Sequence, residues 1–523
     1  MKRSLFASLL LACASAPPAP ASVAAPTEPP PDVAYSLDLR APDSIAVVAH
    51  ATAAAAARGL RLPVDWEGRA GLDDNVVVEE VKVGGRTATH RIERWTLHAD
   101  GAGDWEVRYR VGARARLDEE SEGFPIRAES YAYATGHPIF LFPDVHAESG
   151  EGRYRVVIAA PDGWAVTTTW EGAAVQGLDA LRGGVILAGD WRVTRHDVGG
   201  PLTVALRGAF GWPDEDLAAP LAAIVRATRR FFGGDARPLT FVLAPWRAER
   251  TQIAHTVPGG VLLVAGHDFD PGEPDSASLL AREIWKIWVG GVLRHAPDAE
   301  YAGLWFREGL AAYYGVVLPL RAGLLPASLA RERLQEALVN AYLRLPVRDA
   351  KLYDVQRWYW WDKRVHDTVA GKGALAALLL DLELRAGCLT PSDGTCRGTS
   401  LDGFVARMWE RFGLTGRRTS ARDLTRELSS YAGRDLAPFV ERHLLGIEPM
   451  PIAERLRAAG FRVDAAREEF PDFGLGWRAQ DGSPVLEGVR ASGPAHRKGC
   501  REGAVVLEYS VPAGRFDVEA AVT

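Results

Sequence analysis

The sequence predicts a multidomain α+β protein. An N-terminal β-sandwich-like domain comes first, then a mostly α-helical domain, then a short β-rich C-terminal segment. Three observations lead there. The chain has 523 residues, which at roughly 150 residues per domain gives about three domains. It is 47% apolar and 24% charged, the composition of an ordinary globular chain with enough apolar surface for a large core. Near residue 207 the apolar residues change from alternation to a helical period.

Composition also excludes several classes. The net charge is -6, with 61 basic and 67 acidic residues. With no basic block, a nucleic-acid partner is not expected. No internal apolar run reaches the roughly 18 residues of a membrane-spanning helix. Four cysteines are too few for a disulfide-built scaffold or a Cys-rich zinc module.

Residues 1–31 read as a signal peptide and a tether. Lys2 and Arg3 form a basic start, and Leu5 to Ala12 a short apolar run. Leu10-Leu11-Ala12-Cys13 resembles a bacterial lipobox, with Cys13 as the lipidated residue. A plain secretory signal, cut after Ala21, and a buried N-terminal helix remain open. Either export route places the protein in the bacterial cell envelope, on the periplasmic face, and a lipid at Cys13 would be its membrane contact. Ala14 to Pro31 is rich in Pro and Ala and suits an extended tether.

Residues 32–206 alternate short apolar runs with Gly, Asp and Pro turns, as at Asn75 to Val83, Trp105 to Val111 and Tyr154 to Ala160. These predict strands. Ala49 to Arg58 is Ala-rich and reads as a helix. Over 207–450, helices are predicted at Leu217 to Phe232, Ser276 to Leu293, Tyr301 to Leu318, Pro326 to Leu343, Lys372 to Arg385, Leu401 to Phe412 and Leu424 to Tyr431. A strand is predicted at Leu239 to Ala244. Residues 451–523 read as a linker and short strands. Export implies an oxidising compartment. Cys388 and Cys396 bracket a Pro/Ser/Asp/Gly/Thr loop and suit a local disulfide, which would leave Cys500 unpaired; three free thiols are the alternative.

The candidate chemistry sits on two helices. In Leu279 to Trp288, Leu280, Ile284 and Ile287 share one stripe. Glu283 points into it, while Arg282 and Lys286 are i and i+4 neighbours on its flank. A carboxylate on an apolar face needs a partner. The next helix holds Leu304-Trp-Phe-Arg-Glu-Gly-Leu-Ala-Ala-Tyr-Tyr-Gly315, nearly all apolar around Glu308. Two successive helices with inward Glu residues form the frame of a zinc peptidase. There, H-E-x-x-H supplies two ligands and a general base, and a Glu on the following helix is the third ligand.

These motifs resemble the glycyl aminopeptidase family of gluzincin metallopeptidases, relatives of the aminopeptidase N and leukotriene hydrolase group. The likeness runs from about Ser276 to Glu448. It includes Arg282-Glu-Ile-Trp-Lys-Ile-Trp288, the Glu308 motif, Leu320-Arg-Ala-Gly-Leu324 and Lys372-Gly-Ala-Leu to Arg385. It implies a thermolysin/gluzincin-like fold for the middle domain, with a β domain before it and a PDZ domain after it. Glu283 would be the general base. Arg282 and Lys286 would stand where zinc-binding His residues are expected, and Glu308 at the remaining ligand position. The family's substrate-binding Gly-Gly-x-Glu-His loop would fall on Gly259, Gly260 and Val261 to Leu263, with Leu262 and Leu263 replacing Glu and His. A Tyr pair that stabilises the oxyanion would fall on Val369 and Ala370.

The departures predict a family member without zinc, hence without cofactor, whose Glu283 no longer functions as a base. Arg282 and Lys286 against Glu283 and Glu308 sum to zero charge, as a dication with two carboxylates does. A half-buried four-charge cluster is therefore expected to replace the metal. The alternative has Arg282 and Lys286 facing solvent. His255, His267 and His295 lack the close pairing of a relocated metal site.

Phe473-Gly474-Leu475-Gly476-Trp477 resembles the carboxylate-binding loop of PDZ domains. Too few residues follow for a full domain, so the segment reads as a truncated, structural appendage, with peptide binding there as the alternative. The functional reading is an exported, inactive peptidase homologue. It would bind or scaffold an unknown protein or peptide in the envelope. An active aminopeptidase of the same family with an altered site is the competing reading.

Overall fold

A computed structural model describes residues 30–520, apart from 67–68, 118–122, 171–173, 246–251, 267, 297–299, 346, 349, 390–398, 466–475, 481–482, 490–492 and 506–515. Cys13, Cys396, Gly474 and Leu475 lie outside the described residues. So do His267 and the side chain of Cys388. The expectations of lipidation, of the disulfide and of a carboxylate loop concern these residues and so lie outside the described part of the chain.

The first region alternates buried and exposed residues along its strands, as a sheet with one covered face must. Val33–Asp38 pairs antiparallel with Ser44–Ala51 and parallel with Arg153–Ala159, inside a seven-stranded sheet. Trp105–Gly112 and Val76–Val83 extend that sheet. Tyr35, Val47, Val107 and Tyr109 face a core with Phe140 and Ile186. The Ala-rich stretch is not a helix. Ala49 and Ala51 finish the Ser44–Ala51 strand, and only Ala55–Arg58 turns as a short 3-10 helix. Backbone pairing with Val33 and Trp105 on either side overrides the helix preference of alanine.

The hairpin of Arg192–Asp197 and Pro201–Leu206 belongs to the next sheet. That five-stranded sheet runs Arg192–Asp197, Pro201–Leu206, Leu239–Pro245, Gly260–Ala265 and Gln252–Val257, the last at its edge. Its two faces have different partners. Leu263, Val261 and Leu243 pack on the helices. Leu262, Val264 and Val242 pack on Tyr131, Tyr133 and Leu187 of the first region, so the two regions share a core. Arg294 and Arg418 both pair with Asp179 across the same junction.

Four helices build the rest of the site: α1 (Asp214–Phe231), α2 (Pro274–Trp288), α3 (residues 300–321) and α4 (Lys363–Leu389). Trp285 of α2 stacks on Tyr314 of α3 with ring centroids 3.8 Å apart, and Trp288 stacks on Phe232 at 5.6 Å. The paired tyrosines of the Glu308 motif are structural ties. Tyr313 donates to Asp381 of α4 at 2.9 Å, and Tyr314 donates to Asp402 at 2.7 Å. Helices α3 and α4 cross at two glycines. A Cβ on Gly309 would lie 2.3 Å from the carbonyl carbon of Gly373, so only glycine permits the approach.

After Ile452–Ala458 the chain forms two small antiparallel pairs, Phe461–Ala465 with Phe516–Ala520 and Gly476–Gln480 with Ser483–Glu487. Cys500 is a free thiol.

Candidate functional site

Helix α2 begins at Pro274, which suits a first turn because its missing N–H has no helical partner there. From that start its inner face carries Leu280, Glu283, Ile284 and Ile287, all buried. Helix α3 reaches the same point through one turn of π-helix, Trp305–Gly309, which contains Glu308. Such an insertion re-aims the side chains it carries and is frequent at functional sites.

The two carboxylates are 3% and 2% exposed, at Glu283 and Glu308. Lys286 Nζ lies 2.6 Å from Glu283 Oε2. Arg282 reaches both carboxylates, with Nε 3.8 Å from Glu283 and a terminal nitrogen 3.6 Å from Glu308. So the expected four charges do meet between α2 and α3, and Lys286 is buried with them instead of facing solvent. Two further residues join. Thr256, on the edge strand Gln252–Val257, donates its hydroxyl to Glu283 Oε2 at 2.9 Å. Arg307 Nε lies 3.2 Å from Glu308 Oε1.

Electrostatics follow from this packing. Burial alone would raise the Glu308 carboxyl, but Lys286, Arg307, Arg282 and His366 outweigh it and hold the pKa at about 2. Burial likewise opposes the charge of Arg282, and Glu283 and Glu308 more than offset it, leaving its pKa raised. Each charge is kept because its opposites are close.

The donor set does not suit zinc. A guanidinium and an ammonium have no lone pair to give at the two positions where imidazoles are expected. Among the described residues, no group of three or more His, Cys, Asp and Glu side chains is placed to hold a metal ion. The histidines are spread out. His255 is buried in the edge strand. His295 pairs through Nδ1 with the Thr419 hydroxyl at 2.7 Å, and burial lowers its pKa to about 4. His366 of α4 lies against Tyr359, ring centroids 4.7 Å apart.

Other expected site residues lie elsewhere. Gly259 and Gly260 form the turn and strand start beneath Thr169 and Thr240. Leu262 faces the first region, away from α2. It is the edge strand, through Thr256, that reaches Glu283. Val369 and Ala370 are buried in α4. Sequence reasoning missed Thr256 and Arg307. Arg307 adjoins Glu308 and was open to inclusion in the charge count. Thr256 comes from a strand 27 residues before Glu283 and carried no local signal.

No protein-family model matches the chain, and no curated protein matches it in sequence. Solved structures do match. An aminopeptidase N family protein from Idiomarina loihiensis is 17% identical, with 90% of this chain and 88% of that one covered and a TM-score of 0.73. An M1 zinc metallopeptidase from Deinococcus radiodurans is 13% identical over 80% of this chain and 94% of its own, with a TM-score of 0.51. A mutant of that enzyme bound to a Tyr-Ser-Ala substrate gives 14%, 80%, 95% and 0.53. At these identities the likeness is one of architecture: the chain has the fold of the aminopeptidase N and M1 zinc metallopeptidase proteins.

Proposed function

We propose that this chain is a peptidase-like scaffold that no longer hydrolyses peptides and acts by binding. One observation carries the reading. Lys286 places an ammonium 2.6 Å from Glu283, where the sequence motif would put a zinc-binding imidazole. Glu283 then has no metal-bound water to activate, and its Oε2 is already engaged by Lys286 and Thr256. The ion pairs take over the metal's other task, tying α2 to α3.

Metal analysis and an aminopeptidase assay test this directly. Purified protein is expected to hold far less than one equivalent of zinc and to leave glycyl and alanyl substrates intact. One tightly held zinc with chelator-sensitive turnover would establish the active reading instead. The double variant Arg282→His, Lys286→His is expected to gain zinc but little turnover, because Val369 and Ala370 offer no hydroxyl.

We further propose that the protein sits in the bacterial envelope on a lipid at Cys13, as Leu10-Leu11-Ala12-Cys13 suggests. The expected result is that Cys13→Ser moves it from the membrane fraction to the soluble one. Unchanged fractionation would remove the anchor from this reading.

A further inference from the structure

Just before α4 the chain turns large rings outward. Leu352–Val355 and Gln356–Trp358 form short helical turns, and α4 begins at Lys363. Leu352, Gln356, Tyr359 and Val365 fasten these turns to the core, each 4% exposed or less. Between them Trp358 is 53% and Trp361 59% exposed, and Tyr353 on the preceding turn is exposed too. The two indoles lie 6.4 Å apart at 75°, and the Arg357 guanidinium sits 5.7 Å from the centre of the Trp358 ring. Elsewhere in the same domain Trp285, Trp288 and Phe306 are fully covered. Neighbouring bare rings mark a contact surface.

Charge indicates what this surface meets. Between residues 344 and 364 six basic residues stand against three acidic ones, in a chain whose net charge is -6. Arg357, Lys363 and Arg364, which flank the two indoles, are exposed. Lys363 and Arg364 pair with Asp367 and Asp362 at 2.8 and 2.7 Å, but their side chains are 83% and 66% exposed. Pairs so solvated are weak and leave both cations free to turn to another anion. Protein interfaces favour Trp and Arg but are poor in Lys. A lipid surface takes all three. Trp sets its ring at the level of the headgroups, and Lys and Arg meet anionic lipid with their stems along apolar chains.

We infer that this surface rests on an anionic lipid bilayer, with Trp358 and Trp361 at headgroup depth and Arg357, Lys363 and Arg364 on lipid phosphates. The inference goes beyond the binding reading above. It rests on the envelope location but not on the lipid at Cys13. Durable attachment commonly takes two membrane signals, and this surface is the second.

Vesicle cosedimentation of the full chain carrying Cys13→Ser tests it. Binding to vesicles of phosphatidylcholine and phosphatidylglycerol in equal parts is expected. It should be about tenfold weaker with phosphatidylcholine alone, and about tenfold weaker when salt rises from about 0.05 to about 0.5 M. The further change Trp358→Ala with Trp361→Ala should cost about tenfold in affinity for the anionic vesicles. Trp95→Ala removes an exposed ring of the first region and should change nothing. Every arm carries the same N-terminus, so residues 1–31 cancel in the comparison. The lipid and salt arms use the unsubstituted surface and decide even if the Trp pair variant fails to fold. No binding to anionic vesicles, binding indifferent to lipid charge or to the Trp pair, or an equal loss from Trp95→Ala overturns the inference. Capture of a protein through these rings without vesicle binding overturns it as well. The anchor is judged separately, by fractionation: vesicle binding with unchanged fractionation of Cys13→Ser removes the lipid at Cys13 alone.

Discussion

Lys286→Ala should lower the free energy of unfolding by about 3–5 kcal/mol, the usual consequence of stranding one partner of a buried ion pair. Lys286 is 8% exposed and Glu283 3%, so water cannot replace the lost ammonium. Thr256→Val removes a single hydrogen bond to the same carboxylate and should cost less, about 1.5–3 kcal/mol. Replacing both charges, as in Glu283→Gln with Lys286→Met, should recover most of the loss, because no unpaired charge then stays buried. Acid titration gives an independent readout. Glu308 titrates at about 2 in the fold against an ordinary 4.5. A carboxylate held low stabilises the fold above its unfolded value and loses that contribution as pH falls. The loss therefore spans about pH 4.5 to 2, amounting to about 3 kcal/mol at 1.36 kcal/mol per unit. Lys286 is the leading positive influence on Glu308. Its removal should raise the Glu308 pKa, so the parent's acid-dependent decline is expected to shrink and to end nearer pH 4.5. A Lys286→Ala protein that unfolds within about 1 kcal/mol of the parent would place the pair in the weak class of solvated ion pairs.

Gly309→Ala is expected to be nearly as damaging. The added methyl would sit 2.3 and 2.5 Å from the carbonyl and α carbons of Gly373. Both obstacles are backbone, so no rotamer change relieves them. The crossing is reciprocal, since a Cβ on Gly373 would lie 2.6 Å from the Trp305 carbonyl oxygen. Helices α3 and α4 must part, at a cost of about 3 kcal/mol, toward the upper end for overpacking. Glu308 precedes the crossing directly, so the shift should also loosen its contacts with Arg282 and Arg307. Gly315→Ala is the control. Its Cβ would meet the Ser278 carbonyl oxygen at 3.1 Å and Arg282 Cβ at 3.4 Å, and a helical alanine regains up to about 1 kcal/mol over glycine. Thermal unfolding of the two variants decides: equal stability would mean that the crossing yields more easily than its geometry implies.

How much of this was legible in the sequence depends on the range of the interaction. The α2 and α3 segments announced themselves through an apolar period interrupted by single carboxylates; that period put Arg282, Glu283 and Lys286 on one turn, and the family resemblance brought Glu308 to the same point, where the structure has it. Helix α4 was expected from Lys372 but starts at Lys363, because its first turns are polar and show no stripe. Pairing across a sheet left no such trace. Leu262 and Leu263 look alike in sequence, yet the two-residue period of a strand sends one toward the first region and the other toward the helices. The Thr256 contact depends on which strand forms the sheet edge, a matter of topology. The Ala-rich run was misread for a related reason: backbone ladders from distant strands decided its conformation.

The placement of Val33–Asp38 has a mechanical consequence. The strand is held on both sides, register to register, by Ser44–Ala51 and Arg153–Ala159. In sequence, the Pro-rich segment directly precedes this strand. A pull along the strand axis would load the hydrogen bonds of both neighbours together. Such shear must break a whole ladder at once, whereas peeling an edge strand breaks one bond at a time. If the lipid anchor proposed above holds, its pull would reach the fold at a strand secured on both sides.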